Sequence, residues 1–144
     1  MATHAFGSKF INKSGEVDPA SVYSKGVIAI YFSAHWCPPC RGFTPVLAEF
    51  YEAVKASSPN DLEVVFVSSD SNPAQFEEYF KTMPWTAVPF GDPIIQQLKA
   101  KFTVSGIPYL VVCSPSGEVI TTQGRADVTG QGPECVKKWL AAKK

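Results

Sequence analysis

The sequence has no net charge: thirteen Lys and Arg side chains balance thirteen Asp and Glu among 144 residues, and like charges form no block. That balance argues against a chain that grips nucleic acid or a membrane surface by long-range attraction. No apolar run approaches the ~18–20 residues that a bilayer crossing requires. The opening MATHAFGSKF lacks both the basic start and the apolar core of a secretory signal. Cysteine is scarce, at four residues, too few to staple a disulfide scaffold of this length. Internal repeats, low-complexity tracts and linkers are missing as well. These absences leave one domain over residues 1–144, with residues 1–15 expected to be loosely attached because the apolar segments begin at Val17. The expected setting keeps thiols reduced, as the cytoplasm and the nucleus do. The composition is 45% hydrophobic, and a chain of this size should bury ~70% of its unfolded surface.

What is present is an alternation of two periods. Residues 27–32, 62–67 and 109–113 are short continuous apolar runs, as suits strands covered on both faces. Pro115–Ser116–Gly117 then turns the chain into residues 118–122 as the second arm of a hairpin. Between the first two runs, Phe43, Val46, Leu47, Phe50, Tyr51 and Val54 recur at helical spacing, with Pro45 predicting a kink. Asp18–Pro19, Asn72–Pro73, Asp92–Pro93 and Gly132–Pro133 each place a cap-forming residue before a proline and so predict four helix starts. A final helix carries Val136, Trp139 and Leu140 on one stripe. The pattern predicts an α/β fold with helices layered on a central mixed sheet, its two middle strands parallel and the hairpin antiparallel.

The informative stretch is Ser33–Ala34–His35–Trp36–Cys37–Pro38–Pro39–Cys40–Arg41, which joins a buried strand to the amphipathic helix. Thiol–disulfide exchange needs a reachable thiolate and a second thiol placed to resolve the mixed disulfide. Two cysteines separated by two residues at a helix N-terminus meet both needs, because the dipole and unpaired N–H groups favour charge on the first sulfur. Cys37 is therefore the predicted nucleophile and Cys40 the resolving thiol. Pro38 and Pro39 stiffen the turn but remove two backbone donors that could have faced the Cys37 sulfur. A zinc site is the competing reading. Structural zinc takes four ligands, and His4 and His35 do not form a second pair with the right spacing, so redox chemistry fits better. No flavin, nucleotide or metal motif is found, and the only redox group expected is the Cys37–Cys40 pair itself.

With Trp36–Cys37–Pro38–Pro39–Cys40–Arg41 in this context, the chain resembles the thioredoxin superfamily and, within it, the tryparedoxin and nucleoredoxin group. Tyr31–Phe32–Ser33–Ala34, Gly42–Phe43–Thr44–Pro45, Tyr79–Phe80 with Met83–Pro84–Trp85, Gly106–Ile107–Pro108, and Gln123–Gly124–Arg125 extend the likeness over most of residues 17–128. The resemblance implies a thioredoxin fold and a cis Pro108 beside the cysteine pair, with the Ile107 backbone left to pair with an extended substrate. Read from the residues alone, Pro108 is an ordinary trans, strand-starting proline; the resemblance is what favours cis. The resemblance further implies that Trp36 is an apolar platform for the incoming disulfide and that Tyr79 and Arg125 help bind the partner. Trp85 is read as core, and His35 as facing solvent. Cys113 and Cys135 are read as inert.

Tyr31 stands where typical thioredoxins have a buried aspartate, Ser69 precedes Asp70 as in nucleoredoxins, and the tail lacks the Phe–Pro–Trp that often closes the domain. The function implied is a monomeric thiol–disulfide oxidoreductase that reduces protein disulfides such as those of a peroxiredoxin. A low-molecular-weight dithiol such as trypanothione, or a reductase, would supply the electrons. The alternative is a nucleoredoxin-like, redox-switched interaction module.

Overall fold

The three apolar runs form the centre of one mixed sheet in the computed structural model, which describes residues 5–143. Its strands are β1 (Phe10–Asn12), β2 (Gly15–Val17), β3 (Val27–Ser33), β4 (Leu62–Ser68), β5 (Thr86–Ala87), β6 (Tyr109–Cys113) and β7 (Val119–Thr121). The helices are α1 (Pro19–Tyr23), α2 (Pro38–Ser57), α3 (Pro73–Phe80), α4 (Ile94–Lys101), α5 (Gly124–Gln131) and α6 (Cys135–Ala142). Across the sheet the order is β2-β1-β5-β4-β3-β6-β7. β3 and β4 are parallel, from Val27 opposite Leu62 to Ser33 opposite Ser68, as strands joined by a helical crossover can be. β6 runs antiparallel on the other flank of β3, and β7 completes the predicted hairpin with an irregularity at Val112 and Cys113. Fold class and strand directions agree with the pattern read from sequence.

Every residue of β3 and β4 is buried, which is why both are continuous apolar runs. Alternate side chains feed two cores. Val27, Ala29, Tyr31, Val64 and Phe66 pack with Phe43, Leu47 and Phe50 of α2, Phe76 and Tyr79 of α3, and Trp139 of α6. Ile28, Ile30, Phe32, Val65 and Val67 pack on the opposite face with Val22 of α1 and Ile95 and Leu98 of α4.

The segment expected to be loosely attached is tied in from Phe6 onward. Phe6 and Phe10 are buried, β1 pairs with β2 and, through Ile11, with Ala87 of β5, and the Tyr23 hydroxyl bonds Phe6 N and Gly7 O. Burial of the two phenylalanines, ~1.5–3 kcal/mol each, joins the hairpin's backbone hydrogen bonds in offsetting the entropy of ordering this segment. Residues 1–4, His4 among them, lie outside the described residues.

Two of the four predicted starts hold as read: Asp18 accepts from Ala20 N and Asn72 from Gln75 N, each before a proline. At Asp92 the aspartate accepts from Ile94 N at 3.0 Å and α4 begins one residue late. Gly132 instead ends α5 with φ 63°, and Pro133 lies in a 3-10 turn ahead of α6. No described helix is long and apolar enough to cross a membrane.

Candidate active site

β3 ends at Ser33, and four residues later Cys37 occupies the N-cap of α2 with extended backbone (φ −97°, ψ 110°). Pro38 and Pro39 fill the first helical positions, where a missing N–H breaks no helical bond. Cys40 therefore falls one turn inside, and Arg41 N closes the turn on Cys37 O at 3.1 Å. Both cysteines are free thiols. The sequence reading placed Cys37 in the open, but only 5% of it is exposed and none of Cys40 is, because Ala34 and Ile107 pack against both. The Cys37 sulfur nonetheless sits among exposed neighbours, Trp36, Pro38 and Pro39. Its thiol donates to Ile107 O at 3.8 Å, and Ile107–Pro108 is cis, as the resemblance implied.

Burial pushes the Cys40 thiol up to about 11, and its hydrogen bond with Cys37 acts in the same direction. Opposing them, the Ser33 hydroxyl and the Ala34 backbone favour the Cys40 anion. At neutral pH Cys40 is therefore a protonated thiol. Beneath it lie four buried hydroxyls. Tyr31 Oη and Thr44 Oγ1 are 2.7 Å apart, Thr44 Oγ1 and Tyr79 Oη 2.6 Å, and Tyr79 Oη and Ser33 Oγ 2.6 Å, while Ser33 donates to Tyr31 at 3.2 Å. Burial raises both tyrosines above the usual phenol value, so all four groups stay neutral.

Around the pair, the expected contact residues divide. Trp36 is 54% exposed, and its indole nitrogen is fixed by Ser69 O at 3.0 Å, so a flat apolar surface stands beside Cys37. Arg125 is exposed, donates from Nη1 to Pro108 O at 3.1 Å, and places its guanidinium 5.6 Å from the Phe43 ring centre. It borders a cleft of about 380 Å³ with Tyr109, Gln123 and Thr129. Tyr79 is a correction: it is 2% exposed and its hydroxyl points inward to Ser33 and Thr44, so it supports the site from behind. His35 is half-buried rather than solvent-facing, because its ring stacks on Tyr79 at 5.3 Å.

Sequence reasoning missed three residues. Asp70 accepts from His35 N at 2.7 Å through Oδ1 and from Ser68 Oγ at 2.7 Å through Oδ2, fixing the turn that carries Trp36. Ser33 and Thr44 complete the hydroxyl group under Cys40. The one available signal was Tyr31, a buried phenol that demanded partners. Cys113 and Cys135 are fully buried, and burial pushes each thiol up to about 12. Trp85 is core, at 1% exposure. Among the described residues no three of His, Cys, Asp or Glu gather into a possible metal site.

A mixed sheet that delivers two cysteines to the N-terminus of a helix, beside a cis-proline, defines a domain of the thiol–disulfide oxidoreductase class with the thioredoxin fold. The chain belongs to the thioredoxin-like family, whose model matches residues 25–119. It is 46% identical over 123 residues to a tryparedoxin of Trypanosoma brucei brucei, covering 84% of this chain and 83% of that one. It is 41% identical over 122 residues to a probable nucleoredoxin 3 of Oryza sativa subsp. japonica, covering 85% of this chain and 26% of that one. The chain thus spans about a fifth to a quarter of the length of the nucleoredoxins it matches. Among solved structures, a tryparedoxin II complexed with glutathionylspermidine superposes with a TM-score of 0.81 at 36% identity, over 90% of each chain.

Proposed function

We propose that the chain reduces protein disulfides by dithiol exchange at Cys37 and Cys40. The observation that carries this reading is the unequal placement of the two sulfurs. Cys37 caps α2, where the helix dipole favours the thiolate, and Cys40 lies a turn deeper as a covered thiol. Cys37 attacks one sulfur of the target disulfide, whose other sulfur leaves as a thiol. Cys40 then attacks Cys37, releasing the reduced target and leaving the Cys37–Cys40 disulfide. A dithiol or a reductase returns the pair to the thiol form.

The electron donor in this reading is a small dithiol of the trypanothione kind, and the acceptors include a peroxiredoxin. The glutathionylspermidine named with one structural neighbour supports the donor, and the exposed Trp36 and Arg125 offer an apolar and a cationic contact for it. The reading places a monomer in the cytoplasm, or in the nucleus. The likeness to nucleoredoxins, which are several-fold longer, favours a second reading, a redox-switched module that binds a partner with little turnover.

Turnover separates the two. The purified protein, supplied with a dithiol, reduces insulin or a peroxiredoxin catalytically, and Cys37→Ser abolishes this. In a lysate Cys40→Ser accumulates mixed disulfides through Cys37. Binding that depends on the redox state of the pair without turnover would favour the second reading. Activity surviving Cys37→Ser would overturn both.

A further inference from the structure

The mechanism asks Cys40 to give up a proton in a place that disfavours its anion. The ionisable groups facing it are Cys37 on its own turn, Tyr31 from β3 and Tyr79 from α3. None of these is a carboxylate, and the position of the buried aspartate of typical thioredoxins is filled by Tyr31. What the site has instead is a closed ring of hydroxyls, Tyr31–Thr44–Tyr79–Ser33, with no member more than 3% exposed. Of the ring, Ser33 alone favours the anion of the Cys40 sulfur directly, while in the resting site its proton goes to Tyr31.

We propose that Ser33 is a catalytic residue of the resolving step, turning its hydroxyl from Tyr31 to the Cys40 sulfur as that sulfur becomes the attacking thiolate. This rests on the dithiol-exchange reading above.

The ring has slack in the right place. Four hydroxyls hold four protons, but the acceptors number more than four: each ring oxygen, the Cys40 carbonyl and the Cys40 sulfur. The carbonyl is reached by Thr44 at 3.0 Å and by Tyr31 at 3.3 Å. Turning Ser33 toward sulfur breaks the Ser33–Tyr31 link, at 3.2 Å the longest of the four. Ser33 continues to accept from Tyr79 at 2.6 Å, and a hydroxyl that accepts is a stronger donor. Ser33 and Cys40 are both fully buried, and a hydrogen bond to an anion in such a place is stronger than one to a neutral acceptor.

The step balances. The Cys37–partner disulfide and the Cys40 thiol become the Cys37–Cys40 disulfide and the partner thiol. The Cys40 sulfur forms the new bond, the Cys37–partner bond breaks, and the Cys40 proton ends on the departing sulfur. The two electrons gained by the partner come from the cysteine pair. Ser33 keeps its own proton throughout.

The test uses the reduced protein in excess over dithiobis(nitrobenzoate), which releases one coloured thiolate when Cys37 attacks and a second when Cys40 resolves. In Ser33→Ala the second phase slows about tenfold, as expected for losing a hydrogen bond to an anion. Its pH midpoint rises by about one unit, while the first phase stays within about twofold. Ser33→Thr keeps the hydroxyl and restores the second phase. Should Ser33→Ala fail to fold, Tyr79→Phe removes the bond that polarises Ser33 and slows the second phase alone, by about threefold. Both phases falling together, or the second unchanged, would overturn the role of Ser33. No first phase in the wild-type protein would instead overturn the dithiol-exchange reading on which it rests.

Discussion

The Cys37 thiol donates to the Ile107 carbonyl across 3.8 Å, and the Ile107 side chain packs on the cluster of Ala34, Cys37 and Cys40. One residue thus touches the nucleophile through its backbone and shields the resolving thiol through its side chain. Desolvation is the largest cause of the high Cys40 value, so thinning the cover has a definite sign. In a Cys37→Ser background, Ile107→Ala should lower the Cys40 titration. A shift of about half a unit raises its thiolate fraction at pH ~8 about threefold. Iodoacetamide labelling of Cys40, followed by mass spectrometry, measures it. Labelling at the wild-type rate would mean that α2, rather than Ile107, provides the shield.

Two buried indoles make an internal comparison. Trp139 Nε1 donates to Asp127 Oδ2 at 2.9 Å, tying α6 to α5. Trp85 Nε1, enclosed edge-on by Tyr31 and Tyr51, has no partner. Replacement by phenylalanine removes the same atoms from each. At Trp139 it also forfeits a hydrogen bond to a charged group, ~1.5–3 kcal/mol, whereas at Trp85 it relieves an unmade one that costs ~1–3 kcal/mol. Trp139→Phe should therefore destabilise the fold by at least about 2.5 kcal/mol more than Trp85→Phe in urea titrations. Equal losses would show that cavity formation dominates at both positions.

The centre of the fold was legible because β3, β4 and β6 are buried on both faces and their sequences carry that burial directly. The Cys37–Cys40 pair was legible for a similar reason: its chemistry and its place at a strand-to-helix turn are both local. The edges were not. β5 is two residues long and depends on Phe66 and Ile11 for its partners. In α5, GRADVTGQ, only Gly124 and Val128 are buried, so no periodic stripe announces a helix. Gly124 is small because a Cβ there would lie 2.8 Å from Leu110 O, a reason visible only after folding. Ser33, Thr44 and Asp70 act through partners far along the chain, such as Ser33 with Tyr79, 46 residues away. Sequence spacing holds no record of such contacts.

Cys113 on β6 and Cys135 at the start of α6 are held as thiols by burial, each pushed up to about 12 from an ordinary 9.0. A group whose folded value is raised contributes its stability fully below the unfolded value and loses it as pH climbs toward the folded one. The loss therefore falls between pH 9.0 and about 12, at up to about 1.4 kcal/mol per pH unit for each thiol. Cys113→Ala and Cys135→Ala should each lower stability at pH ~7 through lost packing. Each should also flatten the decline between pH ~9 and ~10.5. Urea midpoints across that range check it, and an unchanged slope would show that the buried tyrosines carry the alkaline loss.

Arg125 can act on a substrate in two ways that salt distinguishes. Its Nη1 bonds Pro108 O at 3.1 Å, so it braces the backbone beside Cys37, and its charge is exposed to an approaching anion. Attraction of about 1 kcal/mol at such an exposed distance corresponds to about fivefold in kcat/KM. Arg125→Gln should therefore reduce kcat/KM about fivefold for dithiobis(nitrobenzoate), which is anionic, at low ionic strength. In ~0.5 M salt the deficit should largely vanish, and with hydroxyethyl disulfide, which is neutral, it should not arise. Arg125→Lys keeps the charge but loses the planar fork that reaches Pro108 while lying over Phe43. It should retain the salt dependence and recover most of the rate. A deficit of equal size for both disulfides, insensitive to salt and not repaired by lysine, would mean that bracing rather than attraction is the contribution of this side chain.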